Sequence, residues 1–362
     1  MINDYINDLR KQIDSIDEKL LELLNERIKI AIDINKEKKK ISTPVYSPSR
    51  EAFILNRLMR LNKGPLKNEH IKHIFKEIFS ASRASVTPPK IAYLGPEGSW
   101  AHQAAIMEFG NLSPFLPTKN IPEIFNEVEY SNCDFGVVPI ENSMEGTVPQ
   151  TLDRFIDSNL LIAREIFVPI SYVLAGKEKL KLSTVKKIYS HPQAIAQCRR
   201  WIIERLPNAI TVDTDSTSQA ALIVQRTGSA VAIVSELAAR LYKLKILAER
   251  LEENPNNVTR FVVIGKTMPE KTGDDKTSII FAVKHKAGAL YSALKPFADY
   301  KVNLTKIESR PLKKKAWEYL FFVDIDGHIE DQKVKKAISA LKLHTVFFKF
   351  LGSYPKTKQE CI

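Results

Sequence analysis

The sequence predicts a multidomain protein: an all-α module of three helices, then an α/β region, then a small α+β region. Three observations carry this. Up to about residue 88 apolar residues recur at heptad spacing with a single glycine, Gly64. From residue 91 short β-branched runs alternate with helical stretches. After residue 275 the runs take the order strand, helix, strand, strand, helix, strand. A chain of 362 residues has room for two or three domains of roughly 100–200 residues each.

The first module is expected over residues 1–88. Ile6, Leu9, Ile13, Ile16, Leu20 and Leu23 alternate steps of three and four, a heptad seam that continues through Ile30 and Ile34. The helix reaches about Lys40, roughly 60 Å at 1.5 Å per residue. A domain of this size cannot cover so long a seam, so an intertwined homodimer is expected. A second helix follows Pro48, and a third carries Ile71, Ile74, Phe75, Ile78 and Phe79. Arg27 continues the heptad series, where a bare guanidinium is costly unless an anion pairs with it. Lys38 faces the same way, 11 residues on. Arg10 lies about 25 Å along the axis from Arg27. It therefore reaches the same small ligand only from a partner chain.

The second region, expected over residues 89–268, opens after Thr87-Pro88-Pro89. Its candidate strands are Ile91-Ala92-Tyr93-Leu94, Phe135-Gly136-Val137-Val138, Lys187-Ile188-Tyr189, Ile210-Thr211-Val212 and Val231-Ala232-Ile233-Val234. Alternation with helices predicts mostly parallel sheets. Small polar loops follow the strands: Gly95 to Ser99, Pro139 to Ser143, Ser190 to Gln193, and Asp215 to Thr217. In open α/β sheets ligands bind at the carboxyl ends of strands, and helix N-termini there favour anions. Four such loops suit a small dicarboxylate. The bland alternative is that Ser99, Ser143 and Ser216 are helix N-caps.

The third region, expected over residues 276–355, reads strand (Ser278 to Val283), helix (Ala287 to Ala298), strand (Val302 to Ile307), strand (Tyr319 to Ile325), helix (Lys333 to Leu341), strand (Val346 to Phe350). This βαββαβ order is ferredoxin-like. Lys313-Lys314-Lys315 reads as a solvated hairpin tip.

The net charge of +12 raises the question of nucleic acid. Residues 1–90 hold 18 Lys/Arg against 12 Asp/Glu, residues 91–268 hold 18 against 19, and residues 269–362 hold 18 against 11. The excess is in the flanks and no nucleic-acid motif accompanies it, so small anions are the expected partners and nucleic acid is not. No apolar run approaches a membrane span and no leader is expected, which predicts a cytoplasmic protein without membrane partners. Cys133, Cys198 and Cys361 are far apart, which supports neither disulfides nor a metal site. No nucleotide loop is present, and His191 has no hydrolase partner at recognisable spacing.

Resemblances sharpen this reading. Leu9-Arg10-Lys11-Gln12-Ile13-Asp14, Asp17 to Leu21, Glu26-Arg27 and Arg50-Glu51 resemble the all-helical chorismate mutases. That resemblance implies that the partner's Arg10 together with Arg27 and Arg50 hold chorismate's carboxylates. It implies that Lys38 donates to the ether oxygen and that Glu51 and Ser82 contact the ring side. Ser47 and Val86 fall on further site positions. Val86 stands where the family usually has Gln or Glu, and Ser47 where it often has Asp.

Gly95-Pro96-Glu97-Gly98-Ser99, Pro139-Ile140-Glu141-Asn142-Ser143, Ser190-His191-Pro192-Gln193-Ala194 and Asn257-Val258-Thr259-Arg260-Phe261 resemble prephenate dehydratase, in the family's order. That implies two lobes like a type II periplasmic binding protein, with the site in the cleft. It implies Thr259 at the leaving hydroxyl, Arg260 at a substrate carboxylate and Phe261 shaping the pocket. Ser99, Glu141, Asn142, Ser143, His191, Gln193, Ser216 and Thr217 line the cleft on this reading.

Gly288-Ala289-Leu290 and Glu308-Ser309-Arg310-Pro311 resemble the phenylalanine-binding signatures of an ACT regulatory domain. Together the three resemblances imply a phenylalanine-inhibited enzyme taking chorismate to prephenate and prephenate to phenylpyruvate. No metal or organic cofactor is implied, and a homodimer or higher homo-oligomer is. The alternatives are a dehydratase whose helices are only a dimerisation arm, and a non-catalytic amino-acid-responsive binding protein.

Overall fold

The structure, a computed structural model, describes residues 2–40, 46–227, 230–311 and 319–357. Lys313-Lys314-Lys315 and Cys361 lie outside these. Two compact units form, one of residues 1–47, 53–89 and 109–114, the other of residues 48–52, 90–108 and 115–362.

The helical elements are α1 (Ile2–Lys40), α2 (Pro48–Leu61) and α3 (Asn68–Ala84). The heptad pattern forms the long helix it predicts, and Pro48 takes the first position of α2, where its missing N–H costs nothing. Within one chain the seam of α1 stays open. Ile6, Leu9, Ile13, Ile16, Leu20 and Leu23 are between 40 and 62 % exposed. Six large apolar side chains in a row facing solvent form the kind of patch that marks an interaction surface.

After the three helices come β1 (Ile91–Leu94), α4 (Trp100–Phe109), β2 (Phe115–Thr118), α5 (Ile121–Glu129), β3 (Phe135–Asn142), β4 (Gly146–Thr147), α6 (Pro149–Asp157) and β5 (Leu161–Pro169). Then come β6 (Val173–Gly176), β7 (Lys187–Ser190), α7 (Pro192–Gln197), α8 (Arg199–Arg205), β8 (Ile210–Asp213), α9 (Thr217–Thr227), β9 (Val231–Val234), α10 (Glu236–Leu241) and β10 (Lys245–Glu249). β11 (Val258–Gly265) returns to the first sheet, whose order is β2-β1-β3-β11-β5 with β4 beside β3. The second sheet has the order β10-β6-β9-β7-β8. The chain thus crosses between two lobes twice, between β5 and β6 and between β10 and β11.

These sheets are mixed, not mostly parallel as expected. β1 pairs in parallel with β2 and β3, and β7 with β8 and β9. β11 is antiparallel to both β3 and β5, and β6 to both β9 and β10. The reason is the double crossing: β5 leaves the first lobe beside the strand that re-enters it, and adjacent exit and entry strands run in opposite directions.

The third sheet is built from β12 (Asp275–Ala282), β13 (Leu304–Pro311), β14 (Tyr319–Asp326) and β15 (Phe347–Pro355), with α11 (Ala289–Asp299) and α12 (Gln332–Lys342). Its order β13-β14-β12-β15, all antiparallel, is the ferredoxin-like arrangement predicted. One face is covered by α11 and α12 through Phe281, Ala293, Phe297, Val323 and Leu341. The other places Ile280, Phe322, Leu351 and Tyr354 in one continuous core with Ile162, Val262 and Ile264 of the first lobe. Gly352 permits this approach. A Cβ there would sit 2.4 Å from the Ile162 carbonyl oxygen, and its φ of +140° suits glycine.

Candidate functional site

The β3–β11 ladder organises the middle of the chain. Thr259 lies opposite Asn142, and Arg260 opposite Glu141. Residues directly opposite share a face of the sheet and neighbours along a strand alternate, so the two pairs look out of opposite faces.

On one face the polar groups are ordered by the backbone. The Asn142 side-chain oxygen accepts from the N–H groups of Met144 and Glu145 at 2.9 and 3.1 Å. Its amide group must then be the donor, and it donates to the Asn257 oxygen and the Thr259 hydroxyl, both at 2.8 Å. Asn257 in turn donates to Gln197 at 2.9 Å. Because Thr259 accepts from Asn142, its own O–H is left to donate, and no described residue takes that hydrogen. Ser143 does not join this set. Its hydroxyl donates to the Asn256 carbonyl and accepts from the Val258 N–H, locking one loop to another.

The remaining predicted cleft residues sit at helix starts. The Ser99 hydroxyl donates to the Leu94 carbonyl at 2.7 Å and accepts from the His102 N–H at 3.2 Å. Ser216 accepts from the Gln219 N–H, just ahead of Thr217 at the start of α9. His191 caps α7 by accepting from the Gln193 N–H. For Ser99 and Ser216 these are the cap roles of the bland alternative; Ser143 caps no helix among the described residues, and the His191 cap is not part of that reading. Gln193 donates to Glu145, linking the second lobe to the first. Close by in the fold, Gly98 packs on the second lobe: a Cβ on it would lie 2.9 Å from Ala238 and 3.3 Å from the Ser218 hydroxyl. Ser235 donates to the Gly98 carbonyl at 2.9 Å. The starts of α4, α9 and α10 therefore converge.

Arg260 is the main correction. The sequence places it at a substrate carboxylate, but in the fold it is buried on the opposite face from Thr259. Its guanidinium donates to Glu165 at 3.0 Å, to Asp324 at 2.6 Å and to the Tyr354 hydroxyl at 3.0 Å. Lys276 also binds Glu165, and Ser278 donates to Asp324. Burial alone would push the Asp324 carboxyl up, but the Arg260 guanidinium and the Ser278 hydroxyl outweigh it and hold the carboxyl below its ordinary value. The Tyr354 hydroxyl is raised, by burial first and by Asp324 second. Glu141 is corrected likewise: it pairs with Lys306 at 2.8 Å, on the face opposite Asn142 and Thr259. Phe261 is buried between its ladder partners Pro139 and Ile166. The reason is strand periodicity: three consecutive residues cannot all face one cleft.

Motif and periodicity alone do not single out Glu165, Lys276, Asp324, Tyr354 and Lys306. The signal was available in the charged residues within apolar strand runs, such as Phe321-Phe322-Val323-Asp324-Ile325, since a buried charge demands a partner.

In the helical unit Arg27 donates to the Ser82 hydroxyl, which donates to the Ile78 carbonyl at 2.7 Å. Its guanidinium lies 5.4 Å from the centre of the Phe79 ring. Lys38 is half-buried and Arg10 exposed on the same helix. Ser47 precedes α2, whose first turn holds Arg50 and Glu51. Val86 follows α3, its N–H donating to the Arg83 carbonyl.

In the third sheet a recess of about 160 Å³ is lined by Val283, His285, Ala289, Leu290, Tyr319 and Phe321, among others. Gly288, at φ +76°, starts α11 beside it. Ser309 lies opposite Phe321 and Pro311 opposite Tyr319, so both share the recess face. Glu308 and Arg310 alternate away. Glu308 accepts from the Thr147 hydroxyl at 3.2 Å, and Arg310 pairs with Asp153 at 3.1 Å.

Fold and sites define a multidomain enzyme with an appended ferredoxin-like module. Its sequence matches the family models for chorismate mutase type II over residues 9–86, prephenate dehydratase over residues 91–269 and the ACT domain over residues 277–343. A bifunctional chorismate mutase/prephenate dehydratase from Aquifex aeolicus is 46% identical over 97% of this chain and 98% of its own. One from Pseudomonas aeruginosa is 42% identical over 98% of each. The crystal structure of a prephenate dehydratase from Arthrobacter aurescens in complex with L-Phe is 36% identical with a TM-score of 0.68, covering 74% of this chain and 90% of that one. The chain belongs to the bifunctional chorismate mutase/prephenate dehydratase family.

Proposed function

We propose that the chain carries out two successive steps of phenylalanine synthesis. The helical module rearranges chorismate to prephenate, and the two-lobed module converts prephenate to phenylpyruvate. L-Phenylalanine bound at the third module inhibits the second step. The observation that supports the dehydratase site is the Thr259 hydroxyl, which accepts from an Asn142 amide whose orientation the backbone fixes and so keeps its own O–H to donate.

The chemistry asks for little else. As the ring carboxylate departs as CO₂, its C–C bonding pair enters the ring and the C–O pair leaves with the hydroxyl, which takes a proton from solvent to become water. Aromatisation drives the step, so the need is a donor at the departing oxygen. Thr259 is too weak an acid to lose its proton outright. It orients the leaving group, and its hydrogen bond strengthens as negative charge builds there. With Arg260 engaged elsewhere, the substrate carboxylates are assigned to the starts of α4 and α9, where the helix dipoles favour anions.

For the mutase step the reading keeps Arg27, Lys38, Ser82, Arg50 and Glu51, with Arg10 supplied by a second chain. The open α1 seam supports a homodimer in which each chain covers the other's apolar row. The rearrangement needs only preorganised cations at the carboxylates and a donor at the ether oxygen. Val86 supplies no such donor, so Lys38 carries that role alone. In the third module Gly288, Ala289, Leu290, Ser309 and Pro311 are assigned to the effector. Chorismate and prephenate are small charged acids that do not cross membranes unaided, which places the enzyme with their supply, in the cytoplasm.

The test feeds chorismate and prephenate separately to the purified protein and follows phenylpyruvate by absorbance, with and without L-phenylalanine. Both substrates are expected to yield the keto acid. Thr259→Ala is expected to lower kcat on prephenate by about 10²–10³-fold while chorismate consumption continues. Near-normal turnover in folded Thr259→Ala protein removes Thr259 from the chemistry.

A further inference from the structure

Each residue of the Thr259–Asn142 pair has a chain neighbour on the reverse face of the ladder, and each neighbour is gripped by the third module. Arg260, next to Thr259, is held by Asp324 of β14 at 2.6 Å. Glu141, next to Asn142, is held by Lys306 of β13 at 2.8 Å. We propose that Lys306 and Asp324 are positioning residues for the Thr259–Asn142 pair, and that through them the ligand state of the third module reaches the reaction. This rests on the dehydratase reading above.

The geometry of β13 supplies the connection. Its side chains alternate between two faces: Lys306, Glu308 and Arg310 meet Glu141, Thr147 and Asp153 of the first lobe. Ser309 and Pro311 lie opposite the recess residues Phe321 and Tyr319. A ligand that shifts the recess face of β13 shifts the row of contacts behind it, because one backbone carries both. β14 is two-faced in the same way, with Phe321 at the recess and Asp324 on Arg260. A displacement of under 1 Å at Glu141 or Arg260 re-aims a hydrogen-bonded donor one residue away, and misplacement on that scale costs up to about 10²-fold in rate. Lys306 is the sharper probe, because its pair is only partly buried and its loss spares the core.

The experiment uses the full chain and compares wild type with Lys306→Met, Lys306→Arg and the swap Glu141→Lys with Lys306→Glu. Lys306→Met is expected to lower kcat on prephenate about tenfold with KM changed less than twofold. It is also expected to raise the phenylalanine concentration for half-inhibition at least fivefold. Lys306→Arg and the swap are expected to recover most of both, and chorismate consumption by α1–α3 is expected to be unchanged in all. Wild-type kcat and phenylalanine response in Lys306→Met overturn the proposal. So does an equal loss in Met and Arg variants that tracks a lowered melting temperature, since that is a structural role only. A wild-type protein that makes no phenylpyruvate sinks the dehydratase reading and this proposal with it. An active wild type with a silent Lys306→Met sinks the proposal alone.

Discussion

Replacing Arg260 with methionine keeps an apolar stem and removes the guanidinium from its buried cluster. The variant loses the contacts to Glu165, Asp324 and Tyr354 at 3.0, 2.6 and 3.0 Å. The two carboxylates do not suffer equally. Glu165 keeps Lys276 at 2.7 Å and the Thr357 N–H at 3.0 Å. Among the described residues Asp324 keeps only the Ser278 hydroxyl as a close donor. Removing one partner of a buried pair costs about 3–5 kcal/mol, and the surviving contacts of Glu165 favour the lower figure. With a urea dependence near 3 kcal/mol per molar, a loss of about 3 kcal/mol moves the midpoint by about 1 M. Tryptophan fluorescence from Trp100 and Trp201 follows the transition. The pH dependence carries the sign. In the wild type Asp324 titrates below its ordinary value of 3.8, so its stabilisation is full above that pH and is lost as pH falls through the lower folded value. Without Arg260, burial dominates and the Asp324 carboxyl rises above its unfolded value. The penalty is then greatest at high pH and relieved as the carboxyl protonates, so the deficit at pH 5 is expected to be smaller than at pH 8. A loss below about 1 kcal/mol, or an equal loss at both pH values, refutes the idea that this cluster holds buried charge. Arg260→Lys is not a rescue, because an ammonium lacks the planar fork that reaches three acceptors.

Other expectations follow from the same geometry. Gly352→Ala puts a Cβ 2.4 Å from the Ile162 carbonyl at a φ of +140°, and is expected to cost about 3 kcal/mol by urea unfolding. Ile16→Asp places a charge in the open α1 seam. Sedimentation is expected to show the mass falling to that of a single 41.1 kDa chain, with chorismate consumption lost because Arg10 then has no partner site to complete. Arg27→Ala removes the Ser82 and Phe79 contacts and is expected to abolish chorismate consumption while prephenate turnover persists, read in the same absorbance assay.

Much of this protein is legible in its residues one segment at a time. The heptad steps from Ile6 to Leu23 determine α1, because helical periodicity is local and Pro48 marks the next start. The order of the last six elements determines a ferredoxin-like module. The loops ending at Ser99, Ser143, Gln193 and Thr217, and the Asn257 to Phe261 run, stand out as motifs that point to a site. What the sequence does not disclose is which face each of these residues takes. Thr259 and Arg260 are adjacent, so a motif names them together. Only the pairing of β11 with β3 and β5, and of the third sheet against the first lobe, turns Thr259 to one face beside Asn142 and sends Arg260 from the other into a buried ion cluster with Asp324 and Glu165. The same holds for Ser309 and Glu308 across β13. Local pattern determines element and motif because those depend on near neighbours in the chain. Facing, pairing and the partner of a buried charge are decided by residues about 60 to 190 positions away, as with Arg260 and Asp324 or Glu165 and Thr357, and only the folded chain brings them together.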